Sequence, residues 1–267
     1  MSTSRMKSRS GGAARAKPGT AVVPVAAVDS LARIPSAAGG EVVRDDEVIM
    51  VTGVDYLAHG VRLEAAEIFF DAGVRPKADG PWLGEADKVA WRDAATGYEC
   101  IILRDTRRGL LCGYVGVPSS HPLYRFEDDA IPADLGVEVH GGVTYARMCQ
   151  DGPSPERRVR YEARRICHVL VGYHPIGEAT GYRVEDSHAW WFGFACDHVA
   201  DMVPGDPGHA RRGAALGVAQ VYRDDAYVVG EVRNLAAQLR AIADGELAPA
   251  RVGPPLPPAS LDPRRRS

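Results

Sequence analysis

Several features that identify common protein classes are absent from the 267 residues of the chain. The five cysteines are odd in number and form no CxxC pair, so a disulfide framework is not indicated. No apolar run is long enough to span a bilayer, and Pro24 interrupts the one N-terminal run that resembles a signal peptide. Neither a GxGxxG nor a Walker motif occurs, so no phosphate site is assigned. We therefore expect a cytoplasmic protein without a membrane partner.

Charge is unevenly distributed along the chain, although the net charge is only -3. The first 20 residues carry five basic and no acidic side chains, and residues 251–267 carry four arginines against one aspartate. The part between them is therefore acidic, which argues against a core that binds nucleic acid. Short basic ends are more typical of solvated tails than of binding segments.

Composition divides the chain into three parts. Residues 1–46 are rich in Ser, Ala, Gly, Arg and Pro, and they are predicted to be a disordered basic tail. Residues 247–267 are rich in Pro and Arg and are predicted to be a second disordered tail. A single globular domain is expected over 47–246, and no internal repeat occurs in it.

Periodicity within this domain predicts more strands than helices. Residues 98–118 read as two β-rich runs joined by a short charged turn, which predicts a hairpin. Helices are predicted over 62–73, where Gly73 would end the helix, and over 222–245, where Asp224 or Asp225 would begin it. Further strands are predicted over 47–53, 137–148, 166–175 and 190–198. Strands in series without βαβ alternation predict an α+β fold with a mainly antiparallel sheet and a few packed helices.

The stretch WWFGFACDHVAD (190–201) brings reactive side chains next to bulky aromatic residues. On a strand, Cys196 and His198 would lie on one face with Phe192 and Phe194, because residues two apart point the same way. Thiolate, imidazole and carboxylate are the usual protein ligands of zinc. His140 would complete a metal set with Cys196 and His198, binding zinc or another divalent transition metal. A spare carboxylate, Asp201 or Asp197, would serve as the catalytic base that takes the proton of the bound water.

The neighbouring residues suggest where a substrate would lie. Gly141 and Gly142 follow His140 and would permit a close backbone approach. His121, which precedes a proline, is placed at the rim of the same pocket. If the site holds no metal or other cofactor, Cys196 would be a nucleophile with His140 or His198 as its base and Asp201 orienting the imidazole. His140 is the better candidate, because it comes from another strand.

Five segments occur together in an order that resembles an uncharacterised protein family of bacterial and phage genomes. They are CGYVGVPSSHPLY, VHGGVTYA, ICHV, WWFGFACDHVADMVP and YRDDAYVVGEVRNLAAQL, and they lie within residues 88–240. The family pattern has an aspartate at the position of Ala195 and a glycine at that of Ala200. Asp197 stands where a small residue is usual. The resemblance implies where the site lies but no activity.

Three hypotheses of function follow, and whether the protein is an enzyme stays open among them. The first is a metal-dependent hydrolase that uses His140, Cys196, His198 and Asp201 on an unknown substrate. The second is a non-enzymatic, phage-type accessory protein that binds a small molecule or a host protein. It predicts that these side chains are buried and hydrogen-bonded. The third, a cysteine-nucleophile enzyme, predicts a low thiol pKa at Cys196. The oligomeric state is not indicated.

Overall fold

The computed structural model describes residues 22–24, 40–148, 159–167 and 189–256. Ten strands in these ranges form one sheet whose ladders are antiparallel, and three helices accompany it. The predicted α+β class with a mainly antiparallel sheet is therefore confirmed. The strands are β1 (Val22–Pro24), β2 (Glu41–Asp45), β3 (Val48–Thr52), β4 (Asp55–Ala58), β5 (Val61–Asp71), β6 (Lys88–Arg92), β7 (Glu99–Arg104), β8 (Leu111–Val117), β9 (Tyr145–Met148) and β10 (Trp190–Ala195). The helices are α1 (Val159–Glu162), α2 (Pro207–Ala215) and α3 (Asp225–Ala243), and short 3-10 turns cover Asp128–Ala130 and Ala133–Leu135.

The order of the strands places β10 between β8 and β9 near one end of the sheet. The full order is β1-β2-β3-β5-β6-β7-β8-β10-β9, and β4 pairs with β5 outside this path. The predicted hairpin over 98–118 is confirmed, because β7 and β8 pair in antiparallel register. Strand β10 pairs Gly193 with Tyr114 of β8 on one side and with Tyr145 of β9 on the other.

Helix α3 covers one face of this end of the sheet and was predicted correctly. Asp224 caps it, since its side chain accepts a hydrogen bond from the backbone N–H of Tyr227. Leu235 and Leu239 are fully buried in the core that α3 makes with β7 and β8. The helix comes so close that a Cβ added at Gly113 would lie 2.5 Å from Val232 Cγ2. A glycine is therefore required at that point of β8.

The alternation predicted for β10 is also confirmed. Phe192, Phe194 and Cys196 belong to the core under α3, whereas Trp191 belongs to the core on the opposite face. The strand ends at Ala195, so His198 lies in the turn that follows rather than on the strand itself.

The helix predicted over 62–73 is wrong, because this segment forms β5. Leu63 and Ala65 are buried and alternate with exposed Arg62 and Glu64, and every residue from Glu67 to Asp71 is buried. Strand β5 pairs with both β3 and β6, and residues 67–71 are buried throughout as expected of a central strand. Hydrogen-bonded pairing with β3 and β6 therefore determines the conformation of this segment more strongly than the helical spacing of its apolar residues.

The predicted domain limits of 47 and 246 are too narrow. Strands β1 and β2 lie within the predicted N-terminal tail and pair with each other. Residues 247–256 follow α3 and are tied back to it, since Arg251 donates to Glu231 and the Val252 N–H donates to Asn234. The other tail residues, and the strand predicted over 166–175 beyond Cys167, lie outside the described residues. Cys167 takes part in a disulfide, whereas Cys100, Cys112 and Cys196 are free thiols.

Within the described ranges no helix combines the length and the apolar character needed to cross a bilayer.

Candidate functional site

Four polar side chains meet behind the end of β10, and we call them the His140–Asp201 network. His140 Nε2 lies 2.7 Å from Asp201 Oδ2, and His140 Nδ1 lies 2.8 Å from the hydroxyl of Tyr227. Arg223 Nε donates to Asp201 Oδ1 at 2.8 Å. Because an ionised carboxylate only accepts hydrogen bonds, Nε2 of His140 carries the hydrogen. Both nitrogens of the imidazole are thus engaged.

Three segments of the chain position this network. Asp201 lies in a turn with His198, whose N–H donates to Asp201 Oδ2 at 2.8 Å. His209 of α2 bridges the same turn, with its Nε2 at 3.0 Å from the carbonyl oxygens of His198 and of Asp201. Arg223 precedes α3 and Tyr227 lies in its first turn, so the capped start of α3 fixes both side chains.

The network stabilises the charged form of its carboxylate. Burial alone would raise the pKa of the Asp201 carboxyl, but hydrogen bonds and charge from His140 and Arg223 outweigh it, so the pKa lies below its ordinary value. Asp201 and His140 are both fully buried. A buried carboxylate with these partners is a structural anchor, because a substrate has no direct access to it.

Cys196 lies beside the network but does not have the properties of a nucleophile. It is 2% exposed and packs in the core under α3. Burial raises the pKa of its thiol well above the ordinary value, and the charge of Asp201 raises it further. Catalytic cysteines need a lowered pKa and some access to solvent. The geometry therefore does not favour the cysteine-nucleophile hypothesis.

His121 lies away from the other predicted site residues and holds a loop against α3. Its Nε2 is 2.8 Å from the carbonyl oxygen of Leu239, and its Nδ1 accepts from the Leu123 N–H at 3.0 Å. Burial lowers the pKa of the imidazole below its ordinary value. A neutral histidine that donates to one backbone group and accepts from another has a packing role.

A cavity of about 300 Å³ opens next to the network, and we call it the Gly141–His198 cavity. Gly141 and Gly142 form one wall in a turn where both residues have a positive φ, of 66° and 81°. This left-handed backbone is the reason for two glycines at this point. The end of β10 and the turn after it form a second wall. The lining residues are Asp128, Ile131, Pro132, Ala133, Val137, Gly141, Gly142, Val143, Thr144, Ala195, Asp197 and His198.

Three of the predicted site residues, Gly141, Gly142 and His198, therefore line one cavity, and His121 does not. Asp197 lines it as well, and its Oδ2 accepts from Arg108 Nη1 at 2.6 Å. This ion pair ties the cavity wall to the turn between β7 and β8.

The described residues bring together one group of three possible metal ligands, and it is a different group from the predicted one. Its members are His59, Glu85 and Asp225, with one ligand atom of each within 4.8 Å of the others. His140, Cys196 and His198 do not form such a group among these residues. The metal site predicted from His140, Cys196 and His198, and the hydrolase that depends on it, therefore stay predictions. No geometric observation on the described residues supports them.

Sequence reasoning missed the residues that α3 and the 3-10 turns contribute. Arg223 and Tyr227 were predicted to lie in a helix. Their contacts with Asp201 and His140 were not predicted, because the residues are far apart in the sequence. The sequence RDD at the start of α3 was an available signal, but its aspartates were interpreted only as helix caps. Asp128 and Ile131 carry no recognisable motif.

The chain was compared with known proteins at three levels. No family model, no curated protein and no solved structure matches it. The resemblance to an uncharacterised family of bacterial and phage genomes therefore stays a prediction.

Proposed function

We propose that the protein binds a small molecule in the Gly141–His198 cavity and that the His140–Asp201 network is the rigid support of this cavity. The observation that carries the proposal is the cavity itself, since a volume of about 300 Å³ matches the lower end of small-ligand pockets. Its lining combines apolar side chains with a somewhat larger share of polar surface, so polar groups would contribute to recognition.

The lining residues indicate the chemistry of the ligand. Ile131, Val137 and Val143 are partly buried and offer an apolar surface, whereas Asp128 and Asp197 offer carboxylates. Among the described lining residues there is no lysine or arginine. Because Asp197 is already paired with Arg108, Asp128 would supply the negative charge, and we infer a ligand with an apolar body and a cationic or hydrogen-bond-donating head.

A binding role fits the buried groups better than a catalytic one. His140, Cys196 and Asp201 are buried, and both nitrogens of His140 are engaged by Asp201 and Tyr227. A general base must reach the proton that it removes, and none of these three residues lines the cavity. The hypothesis of a binding protein predicted buried, hydrogen-bonded side chains, which supports it over the hydrolase.

The network would hold the two walls of the cavity at a fixed distance. Through the hydrogen bond from the His198 N–H, Asp201 fixes the wall that His198 lines. Through His140, it fixes the residue directly before the Gly141–Gly142 turn. A pocket that keeps its shape before binding loses less conformational entropy when the ligand enters.

Ligand-observed NMR with three matched probes tests this proposal. Benzylamine, benzyl alcohol and benzoate share a ring but differ in charge, and we expect the amine to bind with a Kd of about 1 mM, at roughly 0.5 kcal/mol per heavy atom. Val143→Trp should abolish the signal because it fills the cavity. Val252→Trp is the matched control, since Val252 is 79% exposed and does not line the cavity. Equal signals from both variants, or preference for benzoate, would contradict the proposal.

A further inference from the structure

A second histidine–carboxylate group lies at the start of α3 and takes no part in the Gly141–His198 cavity. We call it the His59 cluster, and it consists of His59, Glu85, Asp224 and Asp225. His59 belongs to the turn between β4 and β5, Glu85 precedes β6, and the two aspartates begin α3. The topology thus brings three distant segments together at one point.

The ligand atoms of this cluster converge on the His59 ring. His59 Nδ1 lies 3.9 Å from Glu85 Oε1 and 3.8 Å from Asp224 Oδ2, and it contacts Asp225 Oδ1 directly. Ligand atoms bound to one zinc ion at about 2.0–2.2 Å are roughly 3.3–3.6 Å apart in a tetrahedron. Side-chain adjustments would therefore place the atoms of His59, Glu85 and Asp225 around one ion, with Asp224 beside His59 on the solvent side.

The outward oxygens of the two buried carboxylates are already held by protein donors. Glu85 Oε2 accepts from Arg104 at 2.9 Å and from the Tyr222 hydroxyl at 2.7 Å. Asp225 Oδ2 accepts from the Tyr56 hydroxyl at 2.7 Å. Such bonds leave Glu85 Oε1 and Asp225 Oδ1 turned towards His59, although Oε1 also accepts from the Asp225 N–H at 3.1 Å. Outer hydrogen bonds that orient carboxylates in this way are typical of metal sites.

The charges of the surroundings do not balance. Four carboxylates, Glu85, Asp87, Asp224 and Asp225, are joined in this region, and the guanidinium groups of Arg75 and Arg104 are their cationic partners. Among the described residues, the carboxylates of this region therefore outnumber its guanidinium groups by two. A divalent cation would offset both charges.

Access to the cluster is open on one side only. The side chains of Glu85 and Asp225 are fully buried, and those of His59 and Asp224 are about one-third exposed, at 35% and 36%. An ion can therefore enter past His59 and Asp224 and reach the buried carboxylates. Burial of its ligands would then strengthen the attraction between the ion and the carboxylates.

We propose that His59 Nδ1, Glu85 Oε1 and Asp225 Oδ1, with Asp224 on the solvent side, bind a divalent transition-metal ion. One imidazole with carboxylate oxygens suits zinc best, because calcium and magnesium select oxygen ligands alone. These three protein ligands leave a fourth position on the solvent side, next to Asp224. The ion ties the turn between β4 and β5 to the start of α3.

Calorimetric titration of the metal-free, full-length protein with zinc tests this proposal. We expect one zinc ion per chain and an affinity at least tenfold lower in His59→Asn. Asparagine tolerates the positive φ of 38° at this position, so the variant keeps the turn and loses only the imidazole. The matched control is Asp46→Asn, in the turn between β2 and β3 with a φ of 52°, which should bind like the parent.

Co²⁺ provides a second readout, because its d–d absorption reports the coordination of the bound ion. We expect the spectrum of a four-coordinate site in the parent and its loss in His59→Asn. No binding by the parent, or unchanged binding by His59→Asn, would overturn the proposal. Val143→Trp should keep its zinc, so failure of the cavity and failure of the metal site are distinguishable.

Discussion

In the described part of the chain, two histidine–carboxylate groups lie against the start of α3, and they differ in exposure and charge. In the His140–Asp201 network the histidine and the aspartate are fully buried, and Arg223 balances the carboxylate. In the His59 cluster the histidine is one-third exposed, and four carboxylates of the region share two guanidinium groups. The same residue types therefore support a closed structural anchor in one place and a site open to an ion in the other.

The largest expected effect separates the two groups by stability. Asp201→Asn should lower the free energy of unfolding by about 3–5 kcal/mol, because it breaks a buried ion pair and leaves Arg223 without its counter-charge. Asp225→Asn should cost clearly less in the absence of metal, since it removes one negative charge from a region with a surplus. Urea denaturation of both variants measures the difference. An equal or larger loss for Asp225→Asn would contradict the comparison.

The pH dependence of Asp201 provides the next test. Because the folded pKa of this carboxyl is lowered, its contribution is fully present above the unfolded value of about 3.9 and is lost as the pH falls through the folded pKa. The stability difference between the parent and Asp201→Asn should therefore be constant from pH 7 to 5 and shrink towards pH 3. A difference that stays unchanged at pH 3 would show that the ionised carboxylate is not the source of the stability.

Zinc should stabilise the protein through the His59 cluster alone. At a free concentration of 100 times Kd, one bound ion adds about 2.7 kcal/mol to the free energy of unfolding. Thermal unfolding of the parent with and without zinc measures this shift, and His59→Asn should show none of it. A similar shift in His59→Asn would place the ion elsewhere.

The smallest expected effect concerns Asp224, which caps α3 and also faces His59. Asp224→Ala should cost about 1 kcal/mol without metal because a helix cap is lost. It should also weaken zinc binding, though less than His59→Asn does. Asp206→Ala is the matched control, since Asp206 caps α2 in the same way and lies outside the cluster. Equal zinc affinities in the two cap variants would remove Asp224 from the ligand set.

Local patterns predicted those parts of the fold whose contacts are local. The β7–β8 hairpin and α3 carry their turn, cap and apolar spacing in one continuous stretch, and both predictions are confirmed. The helix predicted over 62–73 is wrong because β5 owes its conformation to ladders with β3 and β6, which no local pattern reveals. Strand β2 was missed for a related reason, since its flanking composition resembles that of a tail.

Local sequence patterns were equally limited in predicting the contacts of the candidate site. The sequence placed His140 and Asp201 in one candidate site, and their side chains are in contact, but their predicted catalytic roles stay predictions. It gave no indication of Arg223 and Tyr227 as their partners. His59 was not singled out at all, since 166 residues separate it from Asp225 and no ligand spacing surrounds it. Contacts made by tertiary packing, rather than by motif, determine both groups.

The most direct test of the central claim is a map of backbone amide shifts in the ¹⁵N-labelled protein on addition of benzylamine. The account predicts that shifts concentrate at Gly141, Gly142 and Thr144 and at residues 195–198, which line the Gly141–His198 cavity. Residues of the His59 cluster should stay unchanged. Saturable shifts centred on another surface, or no shifts at concentrations of several millimolar, would contradict the claim that this cavity is the ligand site.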